Sequence, residues 1–220
     1  SMETAPVTTA VVTGGHSYDV INFRRLFGGL DGIDAHVQHM DDFATSSDAE
    51  RDSYDVVVFY HMLMDGPRNE GLPWYAGNPK AVLERLGETR QGIFILHHAL
   101  LAYPQWSVWD EIVGLDDRSF GAHAGKSLHV EVADTTHPIT RNLSDWNMLD
   151  ETYTMAEPGA GNNILLTVKH PQSMEAIAWN REYKNSRVFC FQSGHDNQTW
   201  SDTGFKEILR RGILWCSRRL

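Results

Sequence analysis

The sequence predicts a single α/β domain, residues 7–220, with a mostly parallel sheet covered by helices on both faces and a β-rich insertion around residues 120–180. Three observations carry this expectation. Strand-like and helix-like segments alternate through the first half. The runs Asp55–Tyr60 (DVVVFY) and Gly92–Leu96 (GIFIL) are almost wholly apolar, as strands buried on both faces are. The length of 220 residues suits one core and shows no repeat or interdomain linker.

The elements follow in order. Val7–Thr13 is a β-rich run closed by Gly14–Gly15. Asp19–Leu30 carries Val20, Phe23, Phe27 and Leu30 at helical spacing, and Gly28, Gly29 and Gly32 punctuate its end. Asp34–His39 is the second strand and Asp55–Tyr60 the third. Met62–Gly77, rich in Gly and Pro, reads as a loop. Asn78–Pro79 gives a helix cap and a proline at the first helical position of Pro79–Leu86. Gly92–Leu96 follows as a strand. Leu128–Val132, Asn163–Val168, Ala176–Trp179 and Arg187–Gln192 are the strands of the less regular second half. A helix from about Asp202 presents Phe205, Ile208, Leu209, Ile213 and Cys216 on one face.

Composition excludes several classes. Nineteen Lys and Arg against 29 Asp and Glu give a net charge of −10, which disfavours phosphate-held nucleic acids and anionic membranes as partners. With 41% hydrophobic and 22% charged residues, the chain is globular rather than disordered. No apolar run approaches the ~18 residues of a transmembrane helix, and no basic region precedes an apolar stretch as in a signal peptide. Two cysteines, Cys190 in mid-strand and Cys216 on the apolar helix face, make no disulfide framework and read as small core residues. Free thiols point to a cytoplasmic, reducing setting.

The candidate chemistry lies at strand ends. In a parallel sheet, ligands bind beyond the carboxyl ends of the strands. His16, His61, His97, His98 and His195 each follow a strand, so a parallel arrangement brings them to one edge. Imidazole titrates near neutrality and serves as acid, base or metal ligand. Polar residues also belong at strand ends simply to satisfy backbone groups. Asp150–Glu151–Thr152–Tyr153 is an acidic pair in a β-like context, with Glu151 and Tyr153 on one face. Trp106, Trp109 and Trp200 suit either sugar faces or plain packing. Neither GxGxxG, a phosphate-binding GxxxxGK[ST] loop nor a GxSxG elbow is present.

Together the ordered pieces Gly14–Gly15–His16, GIFILHHA over residues 92–99, Phe120–His123, His137–Pro138–Ile139, Asp150–Tyr153, Gly194–His195–Asp196 with Trp200, and Gly212–Trp215 resemble the ThuA-like (trehalose utilisation) proteins. These belong to the class I glutamine amidotransferase-like superfamily. The resemblance implies a flavodoxin-like three-layer sandwich. It also implies that residues 92–98 stand at the amidotransferase nucleophile turn. Here that turn holds His97–His98 and no cysteine, so glutamine hydrolysis through a thioester is not expected.

What the resemblance implies instead is carbohydrate catabolism, on a disaccharide or a 3-keto-glycoside. Catalytic candidates are His98 and His195 as base and electrophile, Glu151 as partner acid, and His16 orienting substrate or joining a metal site. Substrate-binding candidates are His97, His123, Tyr153, Asp196 and Trp200. The expected partner is a small-molecule sugar, with self-association into a homo-oligomer also open. A divalent metal such as zinc is a candidate cofactor, metal-free acid–base work by the same histidines being the alternative. A non-catalytic sugar-binding or regulatory module on the same fold, or a metal-assisted hydrolase of other substrates, competes with the enzyme reading.

Overall fold

The computed structural model describes residues 5–220. Nine strands form one sheet in the order β2-β1-β3-β4-β9-β8-β7-β5-β6. The strands are β1 (Val7–Gly14), β2 (Ile33–His39), β3 (Val56–His61), β4 (Gly92–Leu96), β5 (Gly121–Val132), β6 (Trp146–Thr154), β7 (Asn163–Val168), β8 (Ala176–Tyr183) and β9 (Ser186–Phe191). The helices are α1 (Val20–Gly28), α2 (Met40–Thr45), α3 (Asp48–Asp52), α4 (Pro79–Glu84), α5 (Ser107–Val113), α6 (Asn197–Trp200) and α7 (Thr203–Cys216).

The ladders divide evenly, four parallel and four antiparallel, and this corrects the expected mostly parallel sheet. From β2 to β9 every ladder is parallel. From β9 to β6 every ladder is antiparallel. The supposed insertion is therefore not separate, because β5 to β8 continue the same sheet. Its physical basis is the connection length. A two-residue turn, Lys184–Asn185 with Lys184 at φ 50°, joins β8 to β9. So short a link permits only antiparallel neighbours. β5 begins seven residues before its expected start, and β6 is a full strand where the sequence marked only Asp150–Tyr153 as β-like, because both lack the doubly buried pattern and β6 mixes buried Asp150 and Thr152 with exposed Leu149.

Both faces of the parallel half are buried, and the period-two alternation of each strand divides its residues between them. Val11, Val58, Phe94 and Phe189 pack with Phe23 and Phe27 of α1, Trp200 of α6, and Phe205, Ile208 and Ile213 of α7. Val12, Phe59, Ile95 and Cys190 pack with Phe43 of α2, Leu83 of α4, and Trp109 and Ile112 of α5. Three layers result. α7 lies so close to the sheet that a Cβ on Gly212 would stand 2.7 Å from Phe94 and Phe189. Asp202 caps α7 by accepting from the Phe205 N–H at 2.8 Å. Asn78 does not cap α4 with its side chain, although Pro79 does occupy the first helical turn.

Candidate functional site

The carboxyl ends of β1, β3, β4 and β9 meet at one edge, and four histidines gather there. His16 leaves β1 through Gly14 and Gly15. Gly15 has φ 72°, and a Cβ on it would stand 2.6 Å from the Met62 carbonyl oxygen, so only glycine makes this turn without displacing the neighbouring loop. The exposed His16 ring stacks on His98 at 4.5 Å between centroids and meets His195 edge-on at 6.3 Å. Its Nδ1 lies 2.6 Å from the Ser17 carbonyl oxygen. That contact requires Nδ1–H, which leaves Nε2 as the free acceptor.

His97 follows β4 directly, in the left-handed region at φ 53°, which is a strained conformation for a residue other than glycine. The ring is fully buried. Its Nδ1 donates to the Gln192 carbonyl at 2.6 Å. Its Nε2 faces three groups: the Tyr153 hydroxyl at 2.9 Å, Glu151 Oε1 at 3.3 Å and His195 Nδ1 at 3.3 Å. His195 Nδ1 and Glu151 Oε1 are 3.5 Å apart. β6 thus delivers Glu151 and Tyr153 from one face, as strand alternation requires. Burial opposes the Glu151 charge, but the hydrogen bond and charge of His97, with His195 behind it, hold its carboxyl below the ordinary value.

A buried carboxylate fastens the His195 turn. Asp150 accepts from the Gly194 and His195 N–H groups, each at 3.1 Å, and from the Thr199 hydroxyl at 2.9 Å. Tyr60 donates to the Gly194 carbonyl at 2.7 Å, and the Trp200 indole donates to the same oxygen at 2.9 Å. Burial pushes the Asp150 carboxyl up and the Tyr60 phenol well up.

The remaining candidates divide. His98 lies beneath His16 at 2% exposure, and among the described residues neither of its ring nitrogens has a hydrogen-bond partner. Burial, with the charges of His97 and His16, pushes its pKa down to about 2, so it is neutral and a weak base. Tyr153 is buried, stacked on His97 at 5.1 Å. Asp196 is spent on capping α6, accepting from the Gln198 N–H at 3.0 Å. Trp200, at 1% exposure, offers no face to a ligand, and Trp109 is likewise buried with its indole donating to Ala99. His123 is not brought to the cluster. It pairs in register with Thr152, on the face of the hairpin opposite Glu151 and Tyr153, and its Nε2 lies 3.3 Å from the Thr154 hydroxyl oxygen. His61 also departs. The last residue of β3 points into the other layer, against Tyr103 and Trp109.

Sequence reasoning passed over Tyr60 and Gln192, and named Asp150 without giving it a role. A polar residue ending an otherwise apolar strand, as Gln192 does after β9, is the one signal that was available. A cleft of about 380 Å³ opens beside His16, lined also by Thr13, Tyr18, Arg24, His39 and Asp42. A larger one, about 650 Å³, lies against α3 and α4 with Arg51, Arg85, Asp48 and Glu88, and has no histidine in its lining. Much of its charge is spent in ion pairs such as Arg51–Asp48 and Arg85–Glu88.

A family model described as ThuA, trehalose utilisation, matches residues 13–216. Among solved structures, a ThuA-like protein from Parabacteroides merdae superposes with a TM-score of 0.73 at 20% identity, over 96% of this chain and 90% of that one. One from Bacteroides uniformis gives 0.72 at 16% identity, over 98% and 94%. A glutamine amidotransferase from Thermotoga maritima gives 0.55 at 11% identity, over 95% and 98%, which shows a shared fold. No curated protein matches the chain.

Proposed function

Because the chain belongs to the ThuA, trehalose-utilisation, family, we propose that it acts in carbohydrate breakdown, on a disaccharide or glycoside already oxidised to its 3-keto form. The observation that carries this reading is the meeting of an exposed imidazole, His16, with the half-buried His195 and Glu151 at the carboxyl edge of the parallel strands. A 3-keto group acidifies the neighbouring C2–H. His16 Nε2, left bare by the Nδ1 contact to Ser17, takes that proton. The C2–H pair becomes the C1=C2 bond, the C1–O glycosidic bond breaks, and the imidazolium returns the proton to the leaving oxygen. His195, backed by Glu151, faces the keto oxygen as it gathers charge. His98 supports the His16 ring by stacking and is too buried to touch substrate. Glutamine hydrolysis is disfavoured, because both thiols are buried in the core and His97 occupies the strained turn.

The test is turnover of a 3-keto-disaccharide, read as release of the free sugar. His16→Ala and His195→Ala are each expected to lower kcat by about 10²-fold or more. Saturable sugar binding without turnover in the native protein would replace this reading with a non-catalytic binding module. Absence of both would overturn it.

A further inference from the structure

We infer that His97 Nε2, Glu151 Oε1 and His195 Nδ1 form a three-ligand site for a tetrahedral divalent ion of the zinc type, with its fourth position open. The three atoms make an almost equilateral triangle with sides of 3.3, 3.3 and 3.5 Å. Zinc binds imidazole nitrogen and carboxylate oxygen at about 2.0–2.2 Å, which sets tetrahedral ligand atoms about 3.4 Å apart. An octahedral ion with magnesium-like bonds of about 2.0–2.1 Å would bring adjacent ligands to about 2.9 Å. Calcium's longer bonds reach the same separation, but calcium takes oxygen ligands and this set is two-thirds nitrogen. Two histidines and one carboxylate are a ligand set of open catalytic zinc sites.

Hydrogen-bond accounting points the same way. His97 Nδ1 is committed as a donor to the Gln192 carbonyl, so in the neutral ring Nε2 carries a lone pair. An ionised carboxylate oxygen also lacks a proton, so unless Nε2 is protonated and donates to Glu151, two acceptors stand 3.3 Å apart. A single proton relieves one pair of the three atoms, whereas a cation at the centre of the triangle satisfies all three. The backbone carbonyl behind His97 is the outer partner that metal-binding imidazoles use to fix ring and tautomer. Each ligand is held before any ion arrives: His97 by its left-handed turn, Glu151 between the paired residues Asp150–Lys126 and Thr152–His123 of β5 and β6, and His195 by the Asp150 carboxylate. The competitor for the Nε2 lone pair is the Tyr153 hydroxyl at 2.9 Å.

This site lies within the histidine edge of the proposed function and rests on that reading; an ion held by His97, Glu151 and His195 would act as the electrophile for the keto oxygen. Its test reads metal binding alone, so a wrong substrate and an absent metal are told apart. The full chain, stripped by chelator, is titrated with zinc(II) against a chromophoric competitor, and its zinc content after gel filtration is measured by elemental analysis. One equivalent is expected. Glu151→Gln and His195→Ala should each weaken binding by more than the ~10–100-fold that loss of an outer partner costs. Tyr153→Phe, which keeps all three ligands, and His129→Ala, an exposed histidine on β5, should retain one equivalent. Cobalt(II) loaded into the native protein should show the intense visible bands of a four-coordinate ion, a readout that stands even where a variant does not fold. Less than a tenth of an equivalent of zinc in the native protein, a six-coordinate cobalt spectrum, or unchanged affinity in both ligand variants would overturn the inference.

Discussion

His61 shows how one residue type at one kind of position acquires different roles. It ends β3 as His97 follows β4, yet its ring enters an aromatic layer of Phe59, Tyr103 and Trp109, and among the described residues neither nitrogen is hydrogen-bonded. Burial, with a smaller contribution from His39, lowers its pKa to about 3 from 6.5. Between those values the unfolded chain binds a proton that the folded one refuses, so stability is full above pH 6.5 and drains as pH falls toward 3. At pH 5 the loss from His61 alone is about 2 kcal/mol. His98, shifted the same way, adds to it. Urea midpoints at pH 7 and pH 5 check this. His61→Leu should shrink the difference between them, and an unchanged difference would show that the ring is charged in the fold.

At the scale of elements, the site is an edge assembled by three connections: the Gly14–Gly15 turn after β1, the left-handed His97 after β4, and the Gly194–His195 turn after β9. The third depends on β6 through Asp150. Asp150→Ala leaves the Gly194 and His195 N–H groups and the Thr199 hydroxyl without this acceptor. The expected cost is about 2–4 kcal/mol in urea unfolding, with faster amide exchange at residues 194 and 195. Normal stability and exchange in that variant would mean that the turn holds itself. β6 is also the element least visible beforehand. It exposes the apolar Leu149 and buries the polar Asp150 and Thr152, so neither continuous apolarity nor clean alternation marked it, while the motif it carries, Asp150–Tyr153, stood out by chemistry alone.

Across the whole molecule, the helical layers on the two faces of the sheet bury both thiols, Cys190 in one core and Cys216 in the other. Cys190 and Cys216 have no exposure, and burial pushes both thiols well up. Native protein should resist a thiol-alkylating reagent that labels both cysteines in urea. Cys190→Ala and Cys216→Ala should each cost about 1 kcal/mol and leave sugar turnover intact. Loss of turnover on alkylating the native fold would contradict this.

The sequence by itself determined the doubly buried strands β3 and β4, the amphipathic face of α7, the family, and the chemical types gathered at the strand ends. Those features are local: continuous apolarity, helical spacing and short motifs are written in adjacent residues. Only the tertiary structure decided that β5 to β8 extend the sheet antiparallel, because strand direction is set by which distant edges pair. It likewise decided that His16, His97, His98 and His195 converge while His61 and His123 turn away. A strand's two faces alternate residue by residue, so a single position of register sends one imidazole into the cleft and the next into the core. The near-equilateral spacing of His97, Glu151 and His195 belongs to the fold alone, since its three corners come from β4, β6 and β9, which meet only once the sheet has closed.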